Sequence, residues 1–321
     1  MPPAAPQHTT IESKSMFNKL HAAARQVGQI VVGKDQQVRL AFTCLLAGGH
    51  LLIEDVPGVG KTTLAHALAL SLGLKFNRVQ FTSDLLPADV AGISVYEREK
   101  NGFAFHPGPI FTQVLLADEI NRATPKTQSG LLEAMEERQV STDGMTRPLP
   151  EPFFVIATQN PAHQVGTFPL PESQLDRFLM CLSLGYPDAA AERALLMGED
   201  RRAMLRTLEA AMNPLELIDA QAALRAIHAS SSLIDYVQAL AQASRSGTLF
   251  AEGLSPRAAI ALLQAGRAWA ALEGRDHVLP EDIQAVLVPV CAHRLRPVKS
   301  AQGLALASRD LVLQLQKSVP V

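Results

Sequence analysis

Three short stretches of this chain carry residue types that could do phosphate chemistry. The first is Ile53-Glu54-Asp55-Val56-Pro57-Gly58-Val59-Gly60-Lys61-Thr62-Thr63. Its glycines let backbone N–H groups close on phosphate oxygens, and a helix N-terminus adds partial positive charge. Lys61 is placed to reach β- and γ-phosphates, and the Thr62 hydroxyl to sit on Mg²⁺. Asp55 stands where the pattern GxxxxGK[ST] asks for its first glycine, away from the Gly60-Lys61-Thr62 end. The second stretch is Val114-Leu115-Leu116-Ala117-Asp118-Glu119, a buried-strand pattern ending in two carboxylates. Asp118 is the candidate to hold Mg²⁺ through water, and Glu119 to polarise the attacking water as general base. The third is Ala157-Thr158-Gln159-Asn160-Pro161, where an amide could orient water against a γ-phosphate. Acid pairs at strand ends are common by chance, and Asn-Pro alone reads as a turn. Beside the phosphate loop, all three read as one site.

Such a site needs a parallel sheet, because ligands in open α/β sheets bind at the carboxyl ends of strands. The pattern supplies one. Runs at His50–Glu54, Phe76–Phe81, Val114–Asp118, Phe153–Thr158 and Met180–Leu184 are mostly continuous in apolar residues rather than alternating. That suits strands covered on both faces by helices. Helical stretches at Met16–Gln29, Thr62–Leu72 and Lys126–Arg138 fit the covering role. Two hairpins read as insertions, Ile93–Phe105 turning at Asn101-Gly102 and Val140–Pro148 turning at Asp143-Gly144. After Tyr186-Pro187-Asp188 the strand signals stop. Asp188, Ser255-Pro256 and Leu279-Pro280 mark helix starts, and Pro289 should kink or end its segment. The expected organisation is a disordered segment over 1–15, an α/β core over 16–186 and an all-α domain over 187–321.

Composition sets the bounds. The 321 residues are 47% hydrophobic and 19% charged, with net charge −2, which excludes an intrinsically disordered chain. No overall basic balance points to a polyanion as partner. Cys44, Cys181 and Cys291 are odd in number and form no CxxC pair, so neither a disulfide framework nor a zinc site is indicated. The histidines His50, His66, His106, His163, His228, His277 and His293 lack ligand spacing. The N-terminus has no secretory pattern, and the apolar stretch from Ala41 to Ile53 is too short for a membrane span. A cytoplasmic chain is expected.

Gly60-Lys61-Thr62, DEINRA at Asp118–Ala123, ATQNP at Ala157–Pro161, LPESQLDRF at Leu170–Phe178 and LSPRA at Leu254–Ala258 together resemble the MoxR family of AAA+ ATPases. The resemblance runs from about Phe17 to about Arg296, and VPGVGKTTLA with its preceding acid is itself typical. It implies an AAA+ P-loop sheet domain with two inserted hairpins and a smaller helical lid. It places Val32 and Gly33 at the adenine pocket. It assigns the phosphate loop to Pro57, Gly58, Val59, Gly60, Lys61, Thr62 and Thr63. By the same resemblance Asn160 is sensor 1, Arg177 an arginine finger delivered to a neighbouring subunit, and Arg257 sensor 2. Asn121 and Arg122 are weaker interface candidates.

The resemblance further implies ATP and Mg²⁺ as cofactors and a ring homo-oligomer, a hexamer by expectation. It implies a protein client and a von Willebrand factor A-domain partner. Two other functions fit parts of the sequence. A nucleotide-gated binding module would show negligible turnover, but Glu119, Asn160 and Arg177 are all present. A DNA-acting AAA+ motor would need a basic cluster, and Val140–Pro148 carries only Arg147, so nucleic acid is not expected.

Overall fold

The computed structural model describes residues 7–99, 101–160, 166–198, 201–298 and 308–321. The chain begins with helices α1 (Gln7–Ile30) and α2 (Asp35–Leu46). α1 therefore starts inside the stretch expected to be disordered; residues 1–6 lie outside the described residues. Next come β1 (His50–Glu54), α3 (Lys61–Ser71) and β2 (Phe76–Gln80). α4 (Pro87–Ala91) leads into an antiparallel hairpin of β3 (Gly92–Glu97) and β4 (Gly102–Pro107). β5 (Val114–Asp118) and α5 (Pro125–Glu137) follow, and α5 runs into a second hairpin, β6 (Gln139–Thr142) and β7 (Met145–Pro148). β8 (Phe154–Gln159), α6 (Glu172–Leu175) and β9 (Phe178–Leu182) complete this part.

The remainder is mainly helical: α7 (Ala189–Leu196), α8 (Arg201–Arg206), α9 (Pro214–Ala223) and α10 (Ser231–Ser244). Then come β10 (Phe250–Glu252), α11 (Pro256–Leu272), α12 (Pro280–Cys291), β11 (Arg296–Pro297) and α13 (Ser308–Ser318).

The large sheet has the order β2-β5-β8-β1-β9, and its pairs are parallel. β5 is buried throughout and β8 nearly so, as the continuous apolar runs require. The order sets β5, β8 and β1 side by side. The three stretches that end them therefore share one edge of the sheet.

The helix starts follow capping chemistry. The side chains of Asp188, Asn213, Ser230 and Ser255 each accept a backbone N–H one turn into the following helix. Three details differ from the sequence reading. β9 occupies Phe178–Leu182, two residues ahead of the expected Met180–Leu184, because Met180 pairs with Leu51 of β1. The helical half contains a strand pair, β10 with β11, too short to announce itself by alternation. α12 passes through Pro289 and stops at Cys291, within a turn of the residue that cannot donate an N–H. α11 packs on α12 and on α2, while α2 also packs on β1 and β9, so the helical half rests directly on the sheet-covering layer.

Candidate nucleotide site

The phosphate loop connects β1 to α3. Gly58 (φ 87°) and Gly60 (φ 96°) lie in the left-handed region, where an L side chain is strained. A Cβ at either would meet nothing within 4 Å, so conformation rather than crowding demands glycine. Pro57 and Gly58 are exposed, and Val59 packs partly against the core. Lys61 is buried, and its Nζ donates to the Asp55 carbonyl at 2.6 Å. Burial lowers its pKa, and the charges of Asp55, Asp118 and Glu119 oppose that fall. A buried ammonium at the N-terminus of an eleven-residue helix, behind two left-handed glycines, is a fit for a polyphosphate. Thr62 and Thr63 sit half-buried in the first turn.

Asp118 and Glu119 end β5. Thr158 of β8 ties both: its hydroxyl donates to Asp118 Oδ1 at 2.6 Å and accepts the Glu119 N–H at 2.9 Å. Glu119 has φ 56° and ψ 47°, a strained conformation for a non-glycine residue. Its carboxylate is held from several sides. Asn160 Nδ2 donates to Oε1 at 3.1 Å and Gln80 Nε2 to Oε2 at 2.9 Å, with Arg122 Nε 3.1 Å from Oε2. Asn160 is buried, and its carbonyl accepts from Asn121 Nδ2 at 3.1 Å. Asn121, expected as a weak interface residue, is instead an interior link. Pro161 and His163 lie outside the described residues.

Two residues here were not legible in the sequence. Arg78 of β2 donates through Nη2 and Nε to Asp118 Oδ2 at 2.6 and 3.1 Å. Gln80 is on the same strand face. The parallel register puts Gln80 opposite Asp118, which no local pattern could foretell. Thr62 and Asp118 remain an all-oxygen donor set of the kind Mg²⁺ takes. The Arg78 side chain is half exposed and has room to leave Asp118.

Val32 and Gly33 lie in the turn after α1. Gly33 (φ 69°) approaches α7 so closely that a Cβ would come within 2.7 Å of Ala191 Cβ. Lys34 Nζ donates to the Tyr186 carbonyl at 2.6 Å.

Arg177 and Arg257 are elsewhere. Arg177 donates to the Leu132 carbonyl, and its Nε lies 3.3 Å from Glu136 Oε2. Arg257 Nη1 lies 3.0 Å from Glu136 Oε1. The two arginines share one carboxylate of α5. They line a cleft of about 280 Å³ with Gly48, Gly49 and His50, at the amino end of β1. The phosphate loop follows the carboxyl end. The five residues of β1, rising about 3.3 Å each, run between the two, so the arginines and Lys61 lie toward opposite ends of the sheet's strands.

The comparisons with known proteins agree with this architecture. The family model of the ATPase family associated with various cellular activities matches residues 50–180, and the AAA lid domain matches 242–313. Chaperone MoxR1 of Mycobacterium tuberculosis is 41% identical over 86% of this chain and 75% of its own length. The chain belongs to the MoxR family of AAA+ ATPases. Among other relatives, the uncharacterized protein YeaC of Bacillus subtilis is 43% identical over 94% of each chain. A crystal structure of a protein from Cytophaga hutchinsonii, assigned as an ATPase, superposes with TM-score 0.87 at 35% identity over 96% of each chain. The MoxR fold, a parallel AAA+ sheet followed by a helical lid, is thus the frame in which these residues stand. Among the described residues, no helix is long and apolar enough to cross a membrane.

Proposed function

We propose that this MoxR-family chain hydrolyses ATP within a ring of identical subunits and uses the cycle to remodel a protein client. One observation carries the reading. Arg177 and Arg257 face the edge of the sheet away from the Lys61 and Glu119 of their own chain. Arginines there can meet a nucleotide only if a neighbouring subunit presents one. Repeating that head-to-tail contact closes a ring when the rotation allows, six subunits being the proposed number.

In this reading Lys61 and the N–H groups of Pro57–Thr63, proline apart, bind the β- and γ-phosphates, and Val32 and Gly33 border the adenine. Thr62 and Asp118 would hold Mg²⁺, which supplies charge neutralisation on the phosphate oxygens. Glu119 accepts the proton of the attacking water. Its carboxylate is aimed by Asn160 and Gln80, and a fixed base loses less orientation freedom on the way to the transition state. Arg177 and Arg257, both drawn off Glu136, would stabilise charge on the neighbour's γ-phosphate. Residues 16–186 then form the ATPase core and 187–321 the lid.

The client surface is assigned to the two hairpins. Ile93, Tyr96 and Phe103 on one and Met145 on the other are exposed, and ATP chemistry has no use for them. Arg147, the basic residue of the second hairpin, lies over the Phe105 ring at 3.8 Å and serves hairpin packing. That favours a protein client over a DNA track. MoxR1 is named a chaperone, in keeping with such a role. A von Willebrand factor A-domain protein is the proposed adaptor, and the cytoplasm the proposed site of action.

The test is to mix Lys61→Ala with Arg177→Ala protein, each inactive alone. A finger acting in trans restores turnover, because an intact Lys61 pocket can meet an intact Arg177. No recovery in proven mixed assemblies overturns the trans assignment.

A further inference from the structure

Asp55 occupies the one phosphate-loop position where this chain departs from GxxxxGK[ST]. Its side chain does not face the loop's anion cradle. Oδ2 accepts from the Gly185 N–H at 2.6 Å and the Ser183 hydroxyl at 3.0 Å, and Oδ1 from the Val56 N–H at 2.8 Å. Ser183 and Gly185 lie in the crossover between β9 and α7, where the sheet hands over to the helical half. The same crossover is held on its next residue by Lys34 Nζ, which donates to the Tyr186 carbonyl at 2.6 Å. The main-chain carbonyl of Asp55, meanwhile, receives Lys61 Nζ.

We infer that Asp55 is a positioning residue that ties the phosphate loop to the sheet-to-lid crossover, so that nucleotide on Lys61 sets the position of the lid. The inference rests on the nucleotide site proposed above. The carbonyl that must give up Lys61 to a phosphate and the carboxylate that grips the crossover belong to one residue. A change in one hydrogen-bonded set therefore loads the other. The grip is strong for its size. Burial alone would raise the Asp55 pKa, but donors from Gly185, Val56 and Ser183 outweigh it and hold the carboxyl below its ordinary value. Its hydrogen bonds at neutral pH are those of a carboxylate, shorter and stronger than neutral ones. A glycine at position 55 would keep the backbone cradle and lose all three bonds.

The protein carries its own reporter of lid position. Trp269, the single tryptophan, lies on α11 with the Arg39 guanidinium of α2 stacked 4.8 Å from its ring centroid. Arg39 also pairs with Glu273 at the end of α11. A lid that shifts against the sheet layer changes this stack and the emission of Trp269.

The experiment uses the full chain with a non-hydrolysable ATP analogue and Mg²⁺, reading analogue affinity, Trp269 emission and ATP turnover. Asp55→Gly, which restores the common motif, should bind the analogue within about threefold of the parent. It should lose the emission change, and kcat should fall about tenfold or more with KM little altered. Asp55→Asn and Ser183→Ala should fall between parent and Asp55→Gly in both readouts. A parent-like emission change and kcat in Asp55→Gly overturns the inference. So does a loss of affinity that accounts for the whole effect, since Asp55 would then act only on phosphate. A parent whose Trp269 emission ignores the analogue overturns it too. If Asp55→Gly does not fold, parent-like behaviour of both Asp55→Asn and Ser183→Ala overturns it. A parent that binds the analogue and shifts Trp269 emission without any turnover defeats the ATPase reading alone and leaves the Asp55 link standing.

Discussion

In the proposed reaction Glu119 is the base, and its strained backbone and hydrogen bonds hold its carboxylate in one direction. Its left-handed backbone turns the carboxylate out of line with β5, where Asn160 and Gln80 can meet it. Glu119→Gln should bind ATP like the parent and lose about 10²-fold or more in turnover, the usual contribution of a positioned base. Turnover at the parent rate would remove Glu119 from that role. Lys61→Ala should sharply weaken ATP binding, measured by titration calorimetry, because the β- and γ-phosphates lose their buried cation. Two histidines have a different consequence. Burial lowers the His50 pKa to about 4 and the His293 pKa to about 3, and the nearby charges of Arg138 and Arg294 add to it. Both rings are neutral in the fold, and His50 Nδ1 accepts the Val155 N–H. In the unfolded chain they protonate below about pH 6.5, so the unfolded state binds more protons there. The stability these neutral rings contribute is whole above about pH 6.5 and drains as pH falls, toward about 4 for His50 and about 3 for His293. Thermal unfolding across that window should show the loss. His50→Asn, keeping an acceptor for Val155, should cost stability at pH 7 and flatten part of the acid decline.

At the level of elements, the loop carrying Arg177 is fastened by the helical half. Arg294, just past α12, donates through Nε, Nη1 and Nη2 to Asp176 Oδ1 and to carbonyls of Asp176, Phe178, Leu179 and Val290. The planar fork is what permits so many bonds at once, and lysine cannot copy it. Arg294→Lys should lower the unfolding free energy by about 1–3 kcal/mol, since buried carbonyls lose donors. It should lower turnover of the assembly more than it alters nucleotide affinity, because the loop that presents Arg177 loosens. Equal affinity and equal turnover would show that the loop holds its own shape. A smaller test concerns α11. Ser255 caps it by accepting the Ala258 N–H at 3.1 Å, two residues from Arg257. Ser255→Ala should cost about 1 kcal/mol in denaturant unfolding.

On the scale of the whole molecule, Arg177 and Arg257 lie by the amino end of β1 while Lys61 follows its carboxyl end, and under the proposed function a lone subunit is an incomplete enzyme. ATP in the Glu119→Gln background should therefore drive the protein from small species to a closed ring, read by light scattering. A chain that stays monomeric at micromolar concentration with ATP and Mg²⁺ would sink the ring. Deleting Val140–Pro148 should leave ring formation in place and abolish client remodelling. Remodelling by the shortened chain would return that hairpin to a packing role.

The elements themselves were legible because their causes are local. Continuous apolar runs mark doubly covered strands, Gly60-Lys61-Thr62 marks a strand-to-helix loop, and Asp188 and Ser255 cap the helices that follow them. That Lys61, Asp118, Glu119 and Asn160 would gather at one edge of the sheet was legible too, because each ends a strand run or opens the helix after one. Their partners were not. Gln80 meets Glu119 across 39 residues of sequence, Asn160 meets it across 41, and Asp55 reaches Gly185 across 130. Glu136, an ordinary helix-surface acid by pattern, joins Arg177 to Arg257 only because α5, the loop before β9 and α11 converge beside the amino end of β1. Hydrophobic period and caps are settled by near neighbours along the chain. A polar side chain's partner is settled by strand order and register, which arise only when the whole sheet forms and its crossovers close.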